Sequence, residues 1–320
     1  MHYRTLGRTG LTVSEIGLGT LAIGGPWSFG GFEFGRGQVD DKNSLKMISI
    51  ALDAGVNFID TADIYGYGKS EEIIGKGIEG KREKTVICTK VGNRGTEREW
   101  FKDFSPAWIK AACEQSLKRL KTDYIDVYLL HSPDEDFIFR DDLFTAFNEL
   151  KKEGKIRFYG CSVVSPKQGV DFLSSGYGDV IETFYNICDR AALDDLFPAA
   201  QHADAGIVIK APLCSGLLTG KYTKNTSFDP SDFRSELYPR ERLEKIINVT
   251  DYARPFADRA GLSLSQFALK YCLTRDEVST IIPGGKTAGQ VLENVRASDG
   301  GDLPIATLEQ IEEAIKDYLK

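Results

Sequence analysis

Histidine is scarce in this chain, with three in 320 residues, and the six cysteines (88, 113, 161, 188, 214, 272) include no Cys-x-x-Cys pair. A zinc site needs clustered His and Cys ligands, so no metal is expected, and scattered cysteines read as reduced thiols in a cytoplasmic protein. Basic clusters are missing too. With 40 Lys and Arg against 47 Asp and Glu the net charge is −7, which argues against nucleic-acid or anionic-membrane partners. No apolar run approaches membrane-spanning length, and the opening Met1-His2-Tyr3-Arg4 begins no signal-peptide apolar region. No interdomain linker or internal repeat is evident, so residues 1–320 read as one domain.

What is present is alternation. Tyr3 to Ile16 reads as a β-hairpin plug, followed by Glu15 to Thr20 as a first strand. Apolar runs then recur between helical stripes: Val56–Ile59, Thr85–Thr89, Ile125–Leu130, Ile156–Tyr159, Val180–Phe184, Gly206–Ile209 and Thr280–Ile282. Ser105-Pro106 and Ser165-Pro166 place a cap and a first-turn proline before two helices. The stripe Ile109, Ala112, Cys113, Ser116, Leu117 and Leu120 marks the inner face of the first of these. Further helices are expected over Asn43–Ala54, Ser70–Ile78, Leu143–Lys152 and Ala191–Ala203. After Pro212 the spacing breaks, and an extra helix is expected over Arg240–Arg259. Ser263-x-x-Gln266, Thr287-x-x-Gln290 and Thr307-x-x-Gln310 open three more, the last of them terminal.

Eight strands joined by helical crossovers predict a parallel (β/α)8 barrel with an N-terminal hairpin, an extra helix before strand eight and a C-terminal helix. Gly17-Leu18-Gly19-Thr20-Leu21-Ala22 matches a dinucleotide-binding pattern, but it runs into Gly24-Gly25-Pro26-Trp27 instead of a helix. A Rossmann reading therefore fails. The Gly- and aromatic-rich stretch Gly24–Gly37 fits no helix or strand pattern and reads as a long loop, a lid or binding wall carrying Trp27.

In such barrels chemistry lies at the C-terminal ends of the strands. There the chain puts Asp60, Lys90, His131, Ser162 and Lys210, with Tyr65 five residues after Asp60. A buried carboxylate demands a cationic partner, and Lys90 is the candidate for Asp60. Paired carboxylates for a barrel hydrolase would have to be Asp60 and Glu182, and Lys90 accounts for Asp60 better.

Asp60…Tyr65-Gly66, Thr89-Lys90 and Leu129-Leu130-His131 resemble the catalytic tetrad of the aldo-keto reductase superfamily. Gly160-Cys161-Ser162, Tyr185-Asn186, Pro212-Leu213…Ser215-Gly216-Leu217…Gly220-Lys221, Ile282-Pro283-Gly284 and Gln290…Glu293-Asn294 resemble its cofactor segments, and the likeness runs to about residue 297. The resemblance implies an NAD(P)H-dependent oxidoreductase interconverting a carbonyl and an alcohol, on a substrate that is small, polar and sugar-like. In it Tyr65 is the proton donor, Lys90 lowers the phenol pKa, Asp60 holds Lys90, and His131 bonds the carbonyl oxygen. Trp27 would contact substrate. Cofactor contacts are expected from Gly19, Thr20, Leu21, Asp60, Ser162, Glu182, Lys210, Pro212, Leu213, Ser215, Gly216, Lys221, Gly284, Lys286, Thr287, Gln290, Glu293 and Asn294.

Three positions depart from the family pattern. Val163 follows Ser162 where asparagine is common, Glu182 replaces a glutamine, and Lys210 replaces the tyrosine that stacks on nicotinamide. Lys286 and Thr287 at a helix start favour a 2′-phosphate and hence NADP(H) over NAD(H), while Gln290 stands where many members have an arginine. The complete tetrad and the lack of a long N-terminal extension set aside the alternative, a non-catalytic NADP-binding subunit like the channel-associated members.

Overall fold

Eight parallel strands lie side by side in chain order. They are β1 (Leu18–Gly19), β2 (Phe58–Asp60), β3 (Val86–Val91), β4 (Ile125–His131), β5 (Ile156–Ser162), β6 (Val180–Phe184), β7 (Gly206–Lys210) and β8 (Val278–Ile281). The computed structural model describes residues 1–25, 27–29, 31–34, 40–95 and 99–319. Pro26, Gly30 and 35–39 of the Gly24–Gly37 stretch, and 96–98 of the loop after β3, lie outside the described residues.

The sheet closes on itself through parallel bridges Ile16–Ile281 and Gly19–Gly284. At that seam a Cβ on Gly19 would lie 2.6 Å from the Ile282 carbonyl oxygen, so the backbone approach requires glycine. Gly19 of the apparent dinucleotide motif is therefore part of a barrel joint.

Around the sheet run α1 (Asp41–Asp53), α2 (Lys69–Gly77), α3 (Pro106–Leu120), α4 (Asp141–Lys152), α5 (Pro166–Ser174) and α6 (Leu196–His202). After β7 come α7 (Arg240–Arg259) and α8 (Leu264–Leu273), then α9 (Ala288–Val295) and α10 (Ile305–Leu319). Capping chemistry sets their starts. Ser105 and Ser165 each accept a backbone N–H three residues on, with Pro at the first turn, and Ser263 and Gln266 form a reciprocal capping box. The face α3 buries is the six-residue stripe Ile109, Ala112, Cys113, Ser116, Leu117 and Leu120.

Inside the barrel, Phe58, Val86, Cys88, Val127, Leu129, Val180, Val208 and Ile282 fill the lumen from alternate strand positions. From below they meet Leu6, Leu11 and Val13 of the hairpin Tyr3–Thr5/Thr12–Ser14. A second apolar layer lies between strands and helices. The floor of the lumen is thus dry, and its top is free to be polar.

Most strands run further than apolar runs alone suggest. β2, β3, β4, β5 and β7 continue through Asp60, Lys90, His131, Ser162 and Lys210, because ladder hydrogen bonds use backbone groups and ignore side-chain polarity. The expected helix Ala191–Ala203 is a 3-10 turn, Ala191–Leu193, followed by α6. The terminal helix starts at Ile305, right after Pro304, instead of at Thr307. The stretch expected to be a structureless loop holds an antiparallel hairpin, Trp27–Phe29 with Phe32–Phe34. Another, Asn93–Gly95 with Trp100–Lys102, rises after β3. No helix among the described residues is long and apolar enough to cross a membrane.

Candidate active site

The register fixes a polar ring at the top of the lumen. Gly19, Asp60 and Cys88 are partners across β1, β2 and β3, and His131, Ser162 and Glu182 across β4, β5 and β6. Side chains at partnered positions share a face, so residues far apart in the chain converge.

At the centre stands Lys90. Its ammonium donates to Asp60 Oδ1 at 2.5 Å and to the Thr61 carbonyl at 3.0 Å, and lies 3.2 Å from Glu182 Oε2. That last contact is an ion pair without hydrogen-bond alignment, and Glu182 Oε2 is buried with no hydrogen-bond partner. The other carboxylate oxygen accepts from Ser162 Oγ at 2.9 Å. Lys210 Nζ in turn donates to Ser162 Oγ at 2.8 Å and to the Val163 carbonyl at 2.9 Å, and stands 4.4 Å from the centre of the Phe184 ring. A chain of polar contacts therefore runs from Lys210 through Ser162 and Glu182 to Lys90 and Asp60.

Two carboxylates compete for one ammonium. Burial opposes charge on Glu182, but Lys90, Lys210 and the Ser162 hydroxyl outweigh it and hold that carboxyl below its ordinary range. Burial pushes Asp60 up to about 8, with Glu182 adding to the rise and Lys90 opposing it. Desolvation works against charge on Lys90, yet Asp60 and Glu182 raise it well above the ordinary lysine range. Lys210, desolvated and close to Lys90, is lowered to about 8 despite Glu182. Asp60, Cys88 and Glu182 present ligand atoms within 4.8 Å of one another, but Lys90 already places a cation against both carboxylates.

Tyr65 lies over this cluster with its ring centre 5.5 Å from Lys90 Nζ, and its ring meets His131 edge-on at 5.7 Å. Burial raises the phenol above its ordinary range, and the pull of Lys90 does not offset it. Lys90 does pull the phenol down as expected, but the net shift is upward. Desolvation outweighs one shared ammonium, and both carboxylates push the same way. His131, partly exposed but desolvated at the site and facing Lys90, Lys210 and Lys102, is pushed well below the ordinary histidine range, which favours a neutral imidazole.

Trp27 packs above, 6.2 Å from Tyr65, and its ring stacks on Phe34 at 4.7 Å, which stacks on Phe233 at 4.9 Å. Glu33 N donates to the Ser231 carbonyl at 2.7 Å, so the hairpin after β1 is tied to the loop after β7. Phe34 belongs to the aromatic-rich stretch read as a lid or binding wall, whereas Phe233 and Arg234 were not expected from sequence. They lie in stretches without periodicity, and the signal was confined to the aromatic richness of Gly24–Gly37.

The remaining expected residues divide. Thr20 is fully buried, donates to the Asp60 carbonyl at 2.8 Å and accepts from Ser70, so its hydroxyl hydrogen is already used. Leu21 joins the apolar group under Trp27. After β7, Ala211, Cys214, Ser215 and Gly216 take positive φ, coiling the backbone around Pro212 and Leu213, and Ser215 Oγ accepts from Tyr238 at 2.9 Å. A cleft of about 610 Å³ opens beside this turn, lined by Asn186, Ala211, Cys214, Ser215, Tyr238 and Arg242 among others, and it does not reach Tyr65. Asn294 donates to the Gly284 carbonyl at 3.1 Å. Glu293 is drawn onto Ser263 Oγ at the start of α8. Thr287 caps α9, and Gln290 accepts from Lys286 N at 2.7 Å. Lys286 is exposed, and partial desolvation together with Arg234 and Lys221 lowers its ammonium below the ordinary range, with Asp232 opposing the shift. Lys221, Arg234 and Lys286 thus face one region beside the start of α9, where Asp232 already pairs with Arg234.

Residues 15–316 match the family model described as the aldo/keto reductase family. An uncharacterized oxidoreductase of Bacillus subtilis is 33% identical over 307 residues, covering 95% of this chain and 93% of the relative. The NADH-specific methylglyoxal reductase of Escherichia coli is 34% identical over 309 residues, covering 91% and 92%. Among solved structures, the glycerol dehydrogenase AKR11B4 of Gluconobacter oxydans superposes with a TM-score of 0.84 at 32% identity, covering 99% of this chain and 94% of that one.

Proposed function

The chain belongs to the aldo/keto reductase family, and we propose that it reduces an aldehyde or ketone with Tyr65 as the proton donor and NADP(H) as the preferred cofactor. The coarser frame is the family's: an oxidoreductase acting on carbonyls and alcohols with a nicotinamide cofactor. A bound nicotinamide supplies or takes the hydride.

The residues fit such a group. Beside Ser162, Glu182 offers a buried carboxylate oxygen that is ion-paired to Lys90 but has no hydrogen-bond partner, an acceptor suited to a carboxamide. The left-handed turn from Ala211 to Gly216 exposes backbone geometry suited to a pyrophosphate. Lys221, Arg234 and Lys286 share one region with the Asp232 carboxylate, an excess of positive charge that suits a phosphate. This last feature supports NADP(H), with Lys286 and Thr287 on the 2′-phosphate.

One observation carries the catalytic reading: Lys90 is gripped by Asp60 at 2.5 Å beneath the Tyr65 ring, with His131 edge-on to that ring. A phenol that burial keeps protonated is a donor at neutral pH. The neutral His131 imidazole donates to the substrate oxygen without delivering a full charge, and Trp27 walls the apolar side. The substrate class we infer is a small polar carbonyl such as a dicarbonyl or keto-polyol, in line with what the methylglyoxal reductase and glycerol dehydrogenase relatives act on.

The test is NADPH consumption across aldehydes, keto-sugars and dicarbonyls, run beside Tyr65→Phe. That variant should lose roughly 10²-fold or more in kcat while NADPH affinity barely moves. Near-native turnover of Tyr65→Phe would end the assignment.

A further inference from the structure

Glu182 stands where the family places a neutral amide, and its geometry gives it a task beyond holding a carboxamide. Its Oε2 lies 3.2 Å from Lys90 Nζ, its Oε1 is fixed by Ser162, and its side chain is 3% exposed. Asp60 grips the same ammonium at 2.5 Å. An ammonium shared by two carboxylates has less field left to stabilise a third anion, and the third anion here would be the Tyr65 phenolate.

We propose that Glu182 is a positioning residue for proton transfer, a second carboxylate on Lys90 that keeps Tyr65 a phenol into the alkaline range and so tunes the site to protonate a carbonyl. The inference rests on Tyr65 being the proton donor. In reduction the carbonyl carbon gains hydride from the reduced nicotinamide, its oxygen takes the phenol proton, and Tyr65 regains a proton from solvent. Oxidation needs the phenolate instead, so Glu182 delays it to higher pH.

The titratable and charged groups facing this step are Asp60, Tyr65, Cys88, Lys90, His131, Cys161, Glu182 and Lys210, with Lys102 acting on His131 and the carboxyl of Asp63, which burial raises, near Lys90. Burial holds both thiols up and unionised, and His131 is neutral. The remaining groups change in one direction. Burial and Glu182 raise Asp60 while burial lowers Lys210, so added base can only bring negative charge to, or take positive charge from, the surroundings of Tyr65. Each change opposes ionisation of the phenol.

The experiment is the pH profile of kcat/KM for reduction and for oxidation in wild type, Glu182→Gln and Glu182→Asp, with NADPH dissociation constants measured separately. Glu182→Gln should move the alkaline fall of reduction and the rise of oxidation together to lower pH, by about one unit. Glu182→Asp, which keeps the charge, should return both limbs toward wild type. Should Glu182→Gln not fold, Glu182→Asp and the wild-type profile still test the proposal: drawing the carboxylate back from Lys90 should move both limbs part of the way to lower pH, and wild-type reduction should not fall off below about pH 10, the free phenol value. Limbs that stay put in Glu182→Gln, a change in cofactor affinity alone, or a wild-type fall below about pH 10 would overturn the proposal. An inactive Tyr65→Phe with unmoved limbs rejects the Glu182 role only, whereas an active Tyr65→Phe rejects the proton-donor reading itself.

Discussion

Asp60 Oδ1 and Lys90 Nζ meet at 2.5 Å inside the barrel, and neither side chain is more than 3% exposed. Water cannot replace either partner there. Lys90→Met would therefore leave Asp60 and Glu182 buried without their shared cation, a loss of about 3–5 kcal/mol in stability. The same variant should lower kcat by at least about 10²-fold. Urea unfolding beside steady-state kinetics checks both, and a variant of native stability would show that the pair is solvated in solution.

Lys286 shares its surroundings with Lys221 and Arg234, and desolvation lowers its ammonium. An anion arriving there gains a charge-assisted bond worth about 1.5–3 kcal/mol, so Lys286→Ala should weaken NADPH by roughly 10- to 100-fold. NADH, which lacks the 2′-phosphate, should be little affected. Fluorescence titration of both cofactors discriminates, and equal losses would move Lys286 to the shared pyrophosphate.

Lys210 has its ammonium lowered to about 8 by burial. Below that pH it is a cation beside Ser162, where the oxidised, positively charged nicotinamide is proposed to sit. Above it the repulsion is relieved. The oxidised cofactor should bind more tightly from pH 7 to 9 while the reduced cofactor changes less. Lys210→Gln should tighten the oxidised form at pH 7 and shrink the step. Parallel pH curves for the two proteins would place Lys210 away from the ring.

Phe34 is sandwiched between Trp27 and Phe233, at 4.7 and 4.9 Å. Each ring pair contributes about 0.5–1.5 kcal/mol, so Phe34→Ala should loosen the tie between the two loops and speed cofactor release roughly 10-fold. Stopped-flow release rates check this, since a hairpin that does not cover the cofactor would leave them unchanged.

Local pattern in the chain reached far. Caps at Ser105, Ser165, Ser263 and Thr287, the inner stripe of α3 and the apolar runs sufficed for eight strands, most of the helices and the barrel, because each signal acts within one element. Strand ends were read short, since side-chain polarity marks where the apolar interior stops and backbone pairing continues through Lys90 and His131. The hairpin carrying Trp27 was missed because its partner is a loop some two hundred residues away, a contact without period or spacing.

The residue types at the strand ends, and so the chemistry available, were determined by the sequence: a carboxylate, an ammonium, a phenol and an imidazole on consecutive strand–loop units. Which of them share a proton was decided only by the tertiary structure. Glu182 and Lys90 are 92 positions apart and belong to no common motif, yet closure of the barrel brings them to 3.2 Å. Burial then sets the sign of the phenol's shift, raising Tyr65 where the proximity of a lysine alone suggested lowering. Desolvation depends on everything packed around a group, and no single stretch of chain records that sum.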